Sequence, residues 1–271
     1  RRLDFPDCED ALAAFAEATD APGGALATIE VKQPLGPYQW VGDNIEIPLT
    51  QDRYCFERDC PAGTFALFGS GGIGGEHDMV TDMALDDDTW LRCFVGELPE
   101  GAARNTPFTT LCAEAPGATI ERVEVQQAAR QDGVTQIEVR CPEGYRVLHG
   151  GGAWPLGWKV GRRSFFRQGE TEGFFLIGRG TAGMVTAQAT CASGVPPITE
   201  VEERATILPG GNCGGVTCPD GTIPVGGGAV LPDELELESF GPDNRRMNVC
   251  GLNSRRPDLT FEVFGRCLPR D

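Results

Sequence analysis

Histidine is almost missing from this chain: His77 and His149 are the only two in 271 residues. That leaves no material for a His-rich metal site. It also leaves a Ser-His-Asp triad only two candidate bases, and no Gly-x-Ser-x-Gly elbow accompanies them. Lysine is equally scarce, with only Lys32 and Lys159, so the bases are otherwise all Arg. Forty acids against 23 bases give a net charge of −17. A uniformly basic nucleic-acid binder is thereby excluded, because phosphate attraction needs a positive surface. No apolar run approaches the roughly 18 residues that span a bilayer; the longest are pieces such as ALAAFA (11–16) and FFLI (174–177). RRLDFPDCED at the N-terminus has no apolar stretch behind its charges, so any secretory signal is expected to have been removed. What is abundant is Gly (37) and Pro (20), residues that punctuate turns and prevent long helices from dominating.

Cysteine is the other excess, eleven in all. Self-comparison shows why. CPAGTFALFGSGGI from Cys60, CPEGYRVLHGGGAW from Cys141 and CPDGTIPVGGGAV from Cys218 share one pattern: Cys-Pro-x-Gly, a β-favouring run, then a Gly-rich turn. Each copy closes on an alternating run ending in Cys, at Cys112, Cys191 and Cys267, with start-to-end separations of 52, 50 and 49. A second pair recurs in two copies: Cys55 and Cys213 lie five residues before the motif, with Cys93 and Cys250 as candidate partners. In the middle copy the corresponding places are Gln136 and, approximately, Phe174, so both cysteines are absent together. Joint absence is what a bonded pair produces, since a lone survivor would be a reactive thiol. Five bonds follow: Cys60–Cys112, Cys141–Cys191, Cys218–Cys267, Cys55–Cys93 and Cys213–Cys250. Cys8 is left over, free or bonded to another chain. Zinc is the competing reading, but four residues between the paired cysteines is at the wide end of a knuckle, and the middle copy would have two ligands only. Disulfides place the chain in an oxidising compartment: secreted, periplasmic or on the cell surface.

The middle copy reads as six short strands: 119–127, 135–141, 145–149 running into Gly150–Gly152, 158–166, 173–180 and 184–191. The expected fold is therefore all-β: three tandem antiparallel repeats, as a sandwich or a pseudo-threefold prism or barrel. The boundaries are an N-terminal segment at 1–27 and repeats at 28–115, 116–194 and 195–271. EDALAAFAEAT (9–19) is expected to be a short helix capping the first sheet. The triple Gly marks a bulge or a close backbone approach where a Cβ would clash; no GK[ST] follows to make it a phosphate cradle.

The CPxG…GGG phrase with its closing Cys resembles a recurrent small β module of secreted bacterial and phage-associated proteins, over 60–112, 141–191 and 218–267. A fainter similarity is to the six-stranded sandwich of H-type lectins, which assemble as trimers; three copies in one chain would imitate one. The first copy departs from the pattern with FGSGG and a longer lead-in. The motif carries no catalytic residues.

Candidate sites are few. His77 sits among acids in GGEHDMVTD. His149 aligns on the Gly run with Phe68 and Val225, which points to a packed site. Asp86, Asp87 and Asp88 could coordinate Ca²⁺ through loop oxygens, although the spacing is not that of a calcium loop and a solvated turn is the plainer reading. No other cofactor is indicated. Glu234, Glu236 and Glu238 alternate with Leu in 232–244, a half-exposed strand. Trp154 and Trp158, followed by Arg162 and Arg163, could form an aromatic and cationic surface for a carbohydrate or protein; edge packing is the bland alternative. The favoured function is a secreted non-enzymatic binding, adhesion or structural module, partnered by a surface glycan or protein. An extracellular polysaccharide hydrolase with a carboxylate pair between repeats is a second reading, and a self-assembling coat or filament subunit linked through Cys8 a third.

Overall fold

The computed structural model describes residues 3–5, 29–31, 35–46, 53–71, 78–95, 105–131, 133–208, 212–232, 235–243, 245–253 and 258–270. Those residues are all-β, with no helix among them. The expected helix at 9–19, Cys8 and His77 lie outside the described residues. A short parallel pair, β1 (Leu3–Phe5) with β2 (Ile29–Val31), precedes three runs of six strands. The first run is β3 (Tyr38–Glu46), β4 (Arg53–Asp59), β5 (Phe65–Gly71), β6 (Asp78–Ala84), β7 (Thr89–Val95) and β8 (Asn105–Ala113). The second is β9 (Thr119–Ala129), β10 (Val134–Arg140), β11 (Arg146–Ala153), β12 (Lys159–Gln168), β13 (Thr171–Arg179) and β14 (Gly183–Ser193). The third is β15 (Thr199–Ile207), β16 (Asn212–Thr217), β17 (Thr222–Val230), β18 (Leu235–Asp243), β19 (Arg246–Asn253) and β20 (Leu259–Pro269).

Each run pairs in the same order. Its first, sixth and third strands form one antiparallel trio (β3-β8-β5, β9-β14-β11, β15-β20-β17) and its second, fifth and fourth another (β4-β7-β6, β10-β13-β12, β16-β19-β18). Trios of successive runs then join. β6 meets β11 through Asp82↔Gly152 and Thr81↔Ala153, and β12 meets β17 through Arg162↔Val230 and Arg163↔Ala229. β18 packs on β5, so the sheets follow one another around a ring.

The Cys-Pro-x-Gly phrase is a turn. The N–H groups of Thr64, Tyr145 and Thr222 bond the carbonyls of Pro61, Pro142 and Pro219 at 3.0, 3.1 and 3.2 Å. The glycine before each donor has φ near +80° (Gly63 +85°, Gly144 +82°, Gly221 +78°), the position of a type II turn that an L side chain resists. Behind the turn, the motif cysteine bonds the closing cysteine of its own run: Cys60–Cys112, Cys141–Cys191 and Cys218–Cys267. Cys55–Cys93 and Cys213–Cys250 are directly opposed residues of adjacent strands, with Cα atoms 4.1 and 4.0 Å apart. The five bonds are the pairs that the matched spacings indicate. Each closes a loop of tens of residues and restricts the unfolded chain, a stabilisation of typically about 2–4 kcal/mol.

A bulge follows the turn in each run, between Ala66 and Phe68, Val147 and His149, and Pro224 and Gly226. The registers opposite Leu111, Thr190 and Arg266 therefore make Phe68, His149 and Gly226 equivalent; Val225 is the bulged residue, and the alignment on the Gly run was one place out. Similarly, the partner of Gln136 is Ile177, not Phe174. Beyond the bulge, glycine is demanded by close approach. A Cβ on Gly151 would lie 2.1 Å from the Asp82 carbonyl, and one on Gly228 would lie 2.3 Å from that of Arg163. These are the two places where one run meets the next. The buried side chains form one shared core: Phe68, Trp90, Phe174 and Phe240 are at most 1% exposed and belong to it together with Leu148 and Val225.

Candidate functional site

β12 pairs with β17 through Arg162 and Arg163, and its C-terminal half runs on without that pairing. The space this leaves, between β12 and the β15–β20 pair, is a groove of about 620 Å³. Arg162 and Arg167 supply exposed donors and Glu200 and Glu202 exposed acceptors; Phe165 and Phe264 are half-buried in its wall.

Its floor is a buried ionic cluster. Arg266, 2% exposed, donates from Nη2 to Glu172 Oε2 at 2.9 Å and to Glu200 Oε1 at 2.6 Å. Its guanidinium lies 4.7 Å from the centre of the Phe165 ring. Glu172 also accepts from the Val147 N–H at 3.1 Å and from Arg146 Nε. Burial alone would raise the Glu172 carboxyl, but the Arg266 charge and these hydrogen bonds outweigh it, so the group is held below the usual range. Glu172 and Glu200 are a carboxylate pair between runs. They share one guanidinium, and Glu172 stays ionised, the reverse of what a leaving-group proton donor requires.

A second cluster lies at the centre of the molecule. Asp82, fully buried, accepts from Arg92 Nη2 at 2.7 Å and Nε at 3.1 Å, from Trp90 Nε1 at 3.0 Å, and from Arg163 Nη1 at 2.9 Å. The two arginines also reach backbone carbonyls: Arg92 those of Gly69 and Phe240, Arg163 that of Gly150. The Arg163 guanidinium lies 4.0 Å from the centre of the Phe240 ring. Burial pushes the Asp82 carboxyl up, the charges of Arg92 and Arg163 pull it down, and the pull wins, at about 2. His149, 1% exposed, packs on Phe68 with ring centres 4.0 Å apart and on Trp90 at 5.2 Å. Neither ring nitrogen has a hydrogen-bond partner. Burial and then the Arg163 charge hold its pKa well below 6.5, so it is neutral.

The residues singled out in the sequence divide accordingly. Arg162 lines the groove, while Arg163 turns inward to Asp82. Trp154 and Trp158 are 7% and 3% exposed and pack on each other with centres 6.2 Å apart. Their faces are covered, so the aromatic surface expected of them gives way to packing. The Asp run is a turn with its own partners: Asp86 accepts from the Thr89 N–H at 3.0 Å, and Asp87 pairs with Arg122 at 2.8 Å. Asp88 gives its carbonyl to the Cys60 N–H at 2.7 Å. Among the described residues no group of three His, Cys, Asp or Glu is arranged to hold a metal. Sequence reasoning passed over Arg146, Arg167, Glu172, Glu200 and Arg266. One signal was present: the residue before each closing cysteine is Leu111, Thr190 and Arg266, so a charge stands where its counterparts are uncharged. No protein-family model matches the chain, and no curated protein matches it either.

Proposed function

We propose that the chain is a secreted or surface-exposed binding module, built of three six-stranded units at 28–115, 116–194 and 195–271 around a pseudo-threefold axis. It holds a carbohydrate in the groove between the second and third units. The common strand order of the three runs supports the triplication. Five disulfides support an oxidising compartment. The groove itself carries the binding reading: exposed guanidinium donors and carboxylate acceptors suit hydroxyl groups, and aromatic walls suit the apolar faces of a pyranose. Its rigid floor limits the ordering cost of binding. The resemblance to CPxG…GGG modules of secreted proteins agrees with a scaffold whose loops and clefts, rather than its repeated core, carry the contacts.

A glycan array followed by titration calorimetry tests this reading. The double variant Arg167→Ala, Glu202→Ala removes one exposed donor and one exposed acceptor without touching the core, and is expected to weaken binding of the best glycan about tenfold or more. Unchanged affinity would remove the groove from consideration. Release of shortened chains from a polysaccharide would favour the hydrolase instead.

A further inference from the structure

The outer face of the β10-β13-β12 trio differs from its two counterparts. There, Cys55–Cys93 and Cys213–Cys250 staple the equivalent strands. In the second unit Gln136 and Ile177 occupy that place, and beside them runs a ladder. The Arg140 guanidinium lies 5.3 Å from the centre of the Phe166 ring, the Phe166 and Phe175 rings are 6.2 Å apart at 30°, and the Arg162 guanidinium lies 4.9 Å from the centre of Phe175. Gly173 makes room for it, since a Cβ there would lie 2.3 Å from the tip of Phe166. The registers put Glu138, Phe175 and Ser164 in one row, Arg140, Gly173 and Phe166 in the next, and Gln136, Ile177 and Arg162 in a third. Lys159 and Arg179 oppose each other further along the same face. Arg140, Lys159, Arg162 and Arg179 are all exposed, against Glu138 as the acid of this face among the described residues. A basic face is against the trend of a chain whose net charge is −17.

We propose that this face docks a linear acidic polysaccharide, entering from the groove, where Arg162 and Phe166 belong to both. The inference rests on the carbohydrate-binding reading and names the class of its ligand. Cation–π contact holds Arg140 and Arg162 in place at low entropic cost. Arg140 also donates to Gln168 Oε1 at 2.7 Å and to Glu138 Oε2 at 3.3 Å, and its remaining N–H groups can meet carboxylate or sulfate oxygens. A linear chain with a charge on each sugar can meet Arg140 and Arg162 in succession across the ladder. Nucleic acid is the poorer fit, because the face continues into the groove proposed for carbohydrate.

The experiment compares polygalacturonate (carboxylate), dextran sulfate (sulfate) and neutral dextran by calorimetry at about 0.15 M salt, where charges beyond about 8 Å are screened. Arg140→Gln and Phe175→Leu alter the ladder at residues that do not themselves line the groove; Arg204→Gln, on β15, is the charge control; a thermal melt checks each fold. The acidic chains are expected to bind at least about tenfold more tightly than dextran. Both ladder variants should remove most of that preference, Arg140→Gln while leaving the best array glycan unchanged, and the polymer more affected by Arg140→Gln identifies the anion. Equal affinity for dextran, or equal loss in Arg204→Gln, overturns the inference and leaves the groove reading standing. Displacement of the polysaccharide by single-stranded DNA or anionic vesicles at equal charge overturns the assignment of partner. If no glycan of any kind binds, both readings fall.

Discussion

Replacing Asp82 with alanine is expected to destabilise the protein by about 3–5 kcal/mol, the cost of breaking a buried ion pair from one side. The reason is what remains. Arg92 and Arg163 are fully buried and both aim at this carboxylate, from the first and second runs of strands. Without it, two guanidiniums would sit in the core lacking the carboxylate that both address. Asp82→Asn keeps the shape, loses the charge, and should be nearly as damaging. Chemical unfolding under non-reducing conditions measures this. The comparison is Arg204→Ala, whose partner Glu262 is reached on the surface at 3.1 Å and whose loss should cost under about 1 kcal/mol. An Asp82→Ala protein as stable as wild type would mean that the cluster does not hold the first two runs together.

Stability should also fall in acid below the ordinary histidine value of 6.5, well before the carboxylates protonate. His149 is neutral in the fold, with its pKa held well below that value. The unfolded chain binds a proton at this position as pH drops through 6.5, while the folded chain resists it. Unfolding is therefore favoured by up to about 1.4 kcal/mol for each pH unit below 6.5 until the folded value is reached. The groups facing His149 set this resistance: Arg163 and Arg92 oppose protonation, Asp82 favours it, and Phe68 and Trp90 offer no acceptor. His149→Leu removes the proton site and is expected to flatten the stability curve below about pH 6.5. The second acid-sensitive window remains in both proteins. Asp82 contributes stability that is present above its ordinary value of 3.8 and lost as pH falls towards about 2. Parallel curves for wild type and His149→Leu as pH falls below 6.5 would refute the assignment.

What could be read from the sequence follows from the range of the forces involved. Alternation within a strand is local, so 119–127 and 184–191 foreshadow Thr119–Ala129 and Gly183–Ser193. Disulfide pairing was legible because three copies constrain one another. Registers were less so. The bulge before Gly226 inserts a residue that counting along the Gly run misses. Fewer residues separate Arg179 from Gly183 than Val95 from Asn105 or Asn253 from Leu259, and the partner of Gln136 is correspondingly Ile177. Side-chain direction at Trp154 and Trp158 depends on what the neighbouring elements cover. The groove was invisible for a similar reason: Arg146, Arg167, Glu172 and Arg266 come from four different strands and meet only when the second and third runs pack together.

Non-reducing proteolysis followed by mass spectrometry of the linked peptides tests the stapled three-unit architecture most directly. The account predicts Cys55–Cys93, Cys60–Cys112, Cys141–Cys191, Cys213–Cys250 and Cys218–Cys267, every link lying within one run of six strands. A link such as Cys112–Cys141 that joins two runs, or recovery of these ten cysteines as free thiols from protein made in an oxidising compartment, would contradict it.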